Sequence, residues 1–568
     1  MQQQSNCVEL ATLEHPANGH ERNDLVDYPK HIETNITPGK QTEHPKEYID
    51  SIKSVESKAQ NDFQSGSTSN EKQLPSEKMV KIKKKVGIML IVSFFCLAFG
   101  VTCAVLWPSI FRDIIHKQFT LSPESINYKM WNATPVPMYL NIYLYNWTNH
   151  DKLYETPHFE QLGPYVFREI DYKVVKAWNE NGTVTFQQRK NWHFEPTMST
   201  GSLSDQVTNM NPITITMAYT LRNAEDHLKK LINLILKEVE GITLTASVKT
   251  ILFDGYEDKL LKYAVKYKLT TIPYEKFAWF YARNDSKTYD GTFNMLTGSK
   301  NINELGMIKE WQFNNRSTYH PKSCGPIKGT NGDLWPPLPD NKTVSVFSPD
   351  VCTTLTLKAD GTNEWLGLTG NKYISDAEMF DNGDKVPSRK CYCEDSQCQP
   401  SGTLNVSLCK WGAPAFVSLP HFYLADKSYL QNISGMNPQK EKHEFRLIVQ
   451  PDTGVPLQVR AALQVNFLVE PEYGFKLFKD LPKMYVPMLW FTQEVNLTSE
   501  YASQVKLLLV LPPLGSGVSI SVAILGILLI VISAFLFFRQ KKEDDQKHLL
   551  SKNSSKDKDL DAAVNNEE

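Results

Sequence analysis

The chain has 568 residues, is 41% hydrophobic and 22% charged, and carries a formal net charge of −2. That length exceeds one small domain, and the composition is that of a globular protein. The near-neutral balance, with no long basic block, gives no reason to expect a nucleic-acid partner.

Residues 1–85 read as a disordered cytosolic tail. Over 1–77 the only aromatics are Tyr28, Tyr48 and Phe63, and QSGSTSNEKQ (64–73) has almost no core-forming residue. Such a segment buries too little apolar surface to offset its ordering entropy. A charge-free run follows, VGIMLIVSFFCLAFGVTCAVLWPSI (86–110). Val86–Leu106 alone is 21 residues, enough to cross roughly 30 Å of hydrocarbon at about 1.5 Å per residue. It starts too late and runs too long for a cleaved signal peptide, so a first transmembrane helix is expected over 86–108. Lys78, Lys81, Lys83, Lys84 and Lys85 precede it, and only Arg112 and Lys117 follow closely. The positive-inside rule places the N-terminus in the cytosol, where these lysines also suit anionic lipid headgroups.

Residues 109–514 read as one domain between two spans. VPMYLNIYLYNWTN (136–149), GTVTFQQ (182–188), HEFRLIVQP (443–451) and LQVRAALQVNFLVEP (457–471) are rich in strand formers. Turn signals between such runs predict an antiparallel sheet or barrel. NAEDHLKKLINLILKEVEG (223–241) differs: Leu228, Leu231, Ile232, Ile235 and Val239 repeat at helical spacing. Asn223 is placed to cap this helix and Gly241 to stop it. His227, Lys230, Leu234 and Lys237 share its opposite face, as a solvated surface or as a contact patch for an acidic or amphipathic partner. A second helical stretch is expected over 249–268.

A second uncharged run, Val518–Phe538, predicts a transmembrane helix over 515–538, and Arg539, Lys541 and Lys542 after it place the tail 539–568 in the cytosol. Residues 112–505 then face an oxidising space. The Asn-X-Ser/Thr sites at Asn132, Asn146, Asn181, Asn284, Asn315, Asn341, Asn405, Asn432 and Asn496 are expected to be glycosylated there, whereas Asn35 and Asn553 in the tails stay bare. Of nine cysteines, Cys7 lies in the tail, Cys96 and Cys103 in the first span, and the rest between 324 and 409. The cluster CYCEDSQC (391–398) has spacings shared by metal clips, redox centres and disulfides. The compartment favours disulfides over zinc.

No catalytic motif is present. HEFRL (443–447) opens like HExxH, but Leu447 replaces the second histidine, and no nucleophile elbow, Walker loop or dinucleotide fingerprint occurs. An enzyme, a cofactor and a metal site are therefore not expected. In the C-terminal tail DQKHLL (545–550) fits an acidic dileucine signal. Asp545, Leu549 and Leu550 would engage clathrin adaptors, the leucines in an apolar pocket, for delivery to endosomes and lysosomes. On such an acidifying route His227 is the patch residue whose type changes charge.

LYNWTN (144–149), EQLGPYVFRE (160–169), DGYEDKLL (254–261), DGTFNMLTG (290–298), SPDVC (348–352), SLPHFYLAD (418–426), GMNP (435–438), PDTGVPLQ (451–458) and LQVNFLV (463–469) follow one another through the domain. In this order, between two spans, they resemble the class B scavenger receptor family, including its insect members. The resemblance implies an α+β fold with a β-barrel-like core, an apical helical bundle containing 223–241, and an internal apolar tunnel that carries lipid. It implies the pairs Cys324–Cys391, Cys352–Cys409 and Cys393–Cys398. His227 and Lys237 stand where the lysosomal branch has a histidine and a lysine, which favours the contact-patch reading. The implied function is that of a receptor at the plasma membrane and endosomal or lysosomal membranes, binding lipid, lipoprotein or protein cargo. A mainly lysosomal lipid exporter or sorting receptor is the alternative. Two spans around a disulfide-bonded loop are also a channel plan, with small polar residues in LGSGVSISVAI (514–524). A homo-oligomer is compatible with the receptor plan. The N-terminal tail is longer than is usual in the family, and the C-terminal tail has no cysteine for palmitoylation.

Overall fold

A computed structural model describes residues 75–564 except 238–240, 267–271, 273, 321–322, 339–341, 394–397 and 472–473, and without the side chains of 75–83, Leu231, Ile235, Lys237, Ser551 and 553–564. The tail to residue 74 with Cys7 and Asn35, the sequon Asn341, the stripe residue Val239 and the side chains of Lys237 and Asn553 thus lie outside the described residues. The chain divides into two units, Met1–Lys81 and Ile82–Glu568, and the whole sheet belongs to the second.

Two long helices flank the sheet, Pro75–Phe119 and Ser499–Val564. Each contains a stretch long and apolar enough to cross a membrane, and both extend beyond the spans read from the sequence. Pro75 suits a first helical position, where its missing N–H is not needed. The helices pack through glycine: a Cβ on Gly100 would lie 2.5 Å from the Ala523 nitrogen, and one on Gly526 2.6 Å from the Leu97 nitrogen. Small residues let backbones approach where lipid supplies no hydrophobic driving force between helices. Ser93 and Ser533 are fully buried, and Trp107 Nε1 donates to the Pro512 carbonyl at 3.2 Å.

The domain between them is built on one 13-stranded sheet whose strand pairs are all antiparallel. Eleven of its strands run in order from Thr343–Ser348 through Thr353–Trp365, Leu368–Ile374, Arg446–Val449, Pro456–Val469, Met484–Asn496, Met138–Trp147, Phe159–Asn179, Thr183–Phe194 and Phe293–Leu296 to Ile308–Trp311, and the other two branch off it, Ala415–Ser418 pairing with Pro456–Val469 and Thr403–Asn405 with Ala415–Ser418. Met138–Trp147, first in the chain, pairs with Met484–Asn496, last in the chain, in the register Met138↔Val495. One residue spans the gap between the two edges. Thr330 bridges Met307 beside one edge strand and Val346 in the other. The Thr330 N–H donates to the Ser345 carbonyl at 3.1 Å, Phe347 N–H to the Thr330 carbonyl at 2.7 Å, and Ile308 N–H to the Gly329 carbonyl at 2.9 Å. These bonds occupy edge groups that would otherwise stay open, and the sheet curls into a nearly closed barrel. Gly329 has φ +81°, and any Cβ there would collide with the Ser345 carbonyl oxygen.

All four predicted strand regions contain strands, while the helices depart from expectation. The first of them is Asp226–Lys237 and does not start at Asn223. Residues 221–224 are used instead by the reverse turn that ends helix Pro212–Thr220, where Ala224 N–H donates to the Leu221 carbonyl at 2.9 Å. Among its described side chains Ile232 and Leu236 are buried. The stretch 249–268 is not one helix. A wide helical turn, Thr250–Asp254, breaks at Gly255 with φ +76°, and a helix resumes at Lys259–Lys266.

Candidate functional site

A cavity of about 510 Å³ lies inside the domain. It is walled by Pro212, Ile213, Met217 and Leu221 at helix Pro212–Thr220 and by Leu260 and Leu261 of helix Lys259–Lys266. Its walls also include Leu463, Val465 and Phe467 from one barrel strand and Leu489 and Phe491 from its neighbour. The two helices are fixed at their starts. Asn211 caps the first, its side-chain oxygen accepting from Ile213 N–H at 2.9 Å. Asp258 caps the second, accepting from Leu260 N–H at 2.7 Å. Asn211 Nδ2 donates to Asp258 at 3.2 Å, so one polar link holds both apolar faces against the cavity.

The lining also contains a charged region. Along strand Phe159–Asn179 the inner face carries Tyr165, Phe167, Glu169, Asp171 and Lys173 in period-2 succession, all buried. Glu169 accepts from Trp192 Nε1 and Gln493 Nε2, both at 2.8 Å, and pairs with Lys190 at 3.0 Å. Lys173 pairs with Asp171 at 2.5 Å and Asp333 at 2.9 Å. Arg283 joins Asp290 at 2.9 Å and Asp350 at 2.7 Å. Burial pushes the Asp171 carboxyl above its usual range against the pull of Lys173. Burial also works against charge on Lys173, Lys190 and Arg283, but their acidic neighbours more than offset it and all three are raised. Asp290 is held down despite burial, by Arg283 and Lys190. Glu169, Lys190, Gln493, Arg283 and Asp350 all reach the cavity wall. The sequence reading missed this cluster, although its signal is visible as the alternation Glu169, Asp171, Lys173 beyond the alternation Tyr165, Phe167.

Helix Asp226–Lys237 presents His227, Lys230 and Leu234 to solvent, with Leu234 65% exposed. His227 Nδ1 lies 3.2 Å from Glu225 Oε2, so an acid joins the cationic face. His443 of the HEFRL stretch is buried and stacks on His421 at 4.5 Å between centroids. Its Nδ1 accepts from Gln439 N–H at 2.9 Å, and His421 Nδ1 accepts from Asn437 N–H at 3.1 Å. Burial lowers His421 to about 4 and His443 to about 3. The structure joins Cys324 to Cys391, Cys352 to Cys409 and Cys393 to Cys398, with Cα separations of 5.8, 6.3 and 4.6 Å. Asn181, Asn284, Asn315, Asn432 and Asn496 are exposed, and Asn132, Asn146 and Asn405 half-buried. Asp545, Leu549 and Leu550 are exposed on helix Ser499–Val564. Among the described residues no group of His, Cys, Asp and Glu could hold a metal ion.

Two helices long and apolar enough to cross a membrane flank a disulfide-bonded, barrel-cored domain with an internal cavity, the plan of a membrane protein with a large folded domain between its spans. The chain belongs to the CD36 family, whose model matches residues 90–537. It is 35% identical to Protein peste of Drosophila melanogaster over 443 residues, 77% of this chain and 79% of that protein. It is 30% identical to Scavenger receptor class B member 1 of Cricetulus griseus over 429 residues, 74% and 83% of the two chains. It is also 30% identical to Lysosome membrane protein 2 of Mus musculus over 401 residues, 69% and 82%.

Proposed function

We propose that this protein is an endocytic receptor of the plasma membrane and the endosomal and lysosomal membranes. It takes lipid-bearing or protein cargo on the face formed by His227, Lys230, Leu234 and Lys237, and it moves lipid through the barrel. The observation that carries this reading is the cavity, whose apolar lining continues from the helices near Pro212 and Leu260 to the barrel strands at Val465 and Phe491. The chain performs no catalysis in this reading. Both tails are cytosolic, residues 1–85 and 539–568, with spans at 86–108 and 515–538 and the glycosylated domain 109–514 outside. The test is a plug in cells producing the full chain. Val465→Trp places an indole in the cavity wall beside Phe467 and Phe491, and should abolish transfer of a fluorescent lipid from a bound carrier to the cell while carrier binding persists. Undiminished transfer refutes the route.

A mainly lysosomal role, as exporter or sorting receptor, is the second reading. The exposed Leu549 and Leu550 favour it, as does likeness to a protein named for the lysosome membrane. Steady-state location separates the two.

A further inference from the structure

At its surface end the cavity is walled by aromatic rings. Tyr274, Tyr281, Tyr289 and Trp411 all line it, and Tyr281 and Trp411 are 41% and 40% exposed, so the cavity opens there. Tyr274 stands at 87° to Tyr281 with centroids 6.3 Å apart, and at 90° to Trp411 with centroids 6.5 Å apart. Trp411 meets Tyr289 at 6.3 Å. These separations sit at the wide end of the edge-to-face range of about 4.5–7 Å. Two perpendicular rings that both face one cation about 4.5 Å away have centroids about 6.4 Å apart. The spacing is therefore that of adjoining walls of a cage.

The backbone reinforces this placement. Trp411 caps the turn Ser407–Lys410 in the left-handed region, φ 51° and ψ 31°, which is unfavourable for a bulky side chain. Cys409, two residues earlier, is tied to Cys352. The indole is thus held at the mouth against its own backbone preference, a pattern that concentrates at functional positions. Beside it Lys410 Nζ lies 5.9 Å from the Tyr289 centroid, and Lys410 makes no ion pair among the described residues. Of the other cations lining the cavity, Arg283 holds Asp290 and Asp350, Lys190 pairs with Glu169, and Lys276 lies 3.7 Å from Glu257.

We propose that this mouth binds a phosphocholine headgroup, with the trimethylammonium between the rings of Tyr274, Tyr281 and Trp411, the phosphate on Lys410 and the acyl chains in the cavity. The site rests on the lipid-cavity reading and adds to it a headgroup preference. Aromatic cages suit a quaternary ammonium, which has no N–H to satisfy and loses little hydration on entry. A primary ammonium keeps its hydrogen-bonded water and gains less. A fatty-acid carboxylate would use Lys410 and leave the rings idle.

The test uses the full chain in maltoside micelles, titrated separately with dihexanoyl phosphatidylcholine, dihexanoyl phosphatidylethanolamine and hexadecanoic acid and read by tryptophan fluorescence and calorimetry. Phosphatidylcholine should bind about fivefold or more tighter than phosphatidylethanolamine. Sphingosylphosphocholine, with the same headgroup on another backbone, should share the preference. Trp411→Leu and Tyr281→Leu should each remove it, bringing phosphatidylcholine to the affinity of phosphatidylethanolamine, whereas Trp411→Phe should keep part of it. Equal affinity for the choline and ethanolamine lipids in the unaltered chain overturns the cage even if both leucine variants fail to fold, and hexadecanoic acid binding in that case leaves the cavity reading standing. Failure of every probe to bind overturns both.

Discussion

Gly329→Ala should open the barrel. The substitution has two separable penalties. The first is conformational, because alanine at φ +81° costs about 1–2 kcal/mol relative to glycine. The second is steric. The new Cβ meets the Ser345 carbonyl, so Gly329–Thr330 must withdraw from strand Thr343–Ser348. Withdrawal breaks the bonds from Thr330 N–H to Ser345 and from Phe347 N–H to Thr330, and strains that from Ile308 N–H to Gly329. At about 0.5–1.5 kcal/mol each, these add about 2–4 kcal/mol, for a total of about 3–6 kcal/mol. Gly361 supplies the control. It has φ +80° and nothing within 4 Å of a built Cβ, so Gly361→Ala carries only the first penalty. The assay is tryptophan-monitored thermal unfolding of the purified full chain at one scan rate, since a large disulfide-bonded protein unfolds irreversibly, with arrival at the cell surface as a second readout. Gly329→Ala should unfold well below both the unaltered protein and Gly361→Ala. Equal midpoints for the two variants would refute the closing role of Thr330.

Lys173→Met leaves the Asp171 carboxylate buried without its main partner, at a cost of about 3–5 kcal/mol near neutral pH; adding Asp171→Asn should recover most of this in a double-mutant cycle, and additive losses would argue against the pair. The folded-state values of His421 and His443, about 4 and about 3, lie below the ordinary histidine value, so their contribution is present above about pH 6.5 and is lost as pH falls toward the folded values. Between pH 7 and 5 the pair should remove about 2 kcal/mol after allowance for screening, and His443→Gln should flatten that pH dependence in unfolding measurements. Cargo binding compared at neutral and acid pH should differ less in His227→Gln than in the unaltered chain; identical profiles would remove His227 from the response. Leu549→Ala with Leu550→Ala should hold the protein at the cell surface, measured by antibody uptake, and unchanged internalisation would dismiss the signal.

Strands were legible where burial and pattern agree. Met138–Trp147 and Pro456–Val469 could be read because strand formers crowd both, although Gln464 and Asn466 in the second are fully buried polar residues. Strand Phe159–Asn179 inverts that logic after Phe167. Asp171 and Lys173 face inward while Tyr172, the better core residue by type, is 41% exposed. A period-2 reading by hydrophobicity selects the wrong face there, because the two charges neutralise each other and are met by Lys190, opposite Asp171 on the next strand, and by Asp333 from a distant part of the chain. The exposed helix face was legible from its 3.6-residue period. The cavity was not, because its wall is assembled from separate segments whose proximity only the barrel creates. Trp411 and Tyr274 meet across such a distance, and neither carries a local signal beyond being aromatic.

The pairing of Met138–Trp147 with Met484–Asn496 also sets a timetable. Chains emerge from the ribosome N-terminus first, so the strand at the middle of the sheet must wait for a partner made after the other strands of that sheet. Until then its free side is an unpaired edge, and the first long helix lacks the one that will face Gly100. Sheets with such non-local seams assemble slowly. A nascent or truncated chain ending before residue 484 should therefore be a client of chaperones, and a premature stop there should yield degradation rather than a shortened protein.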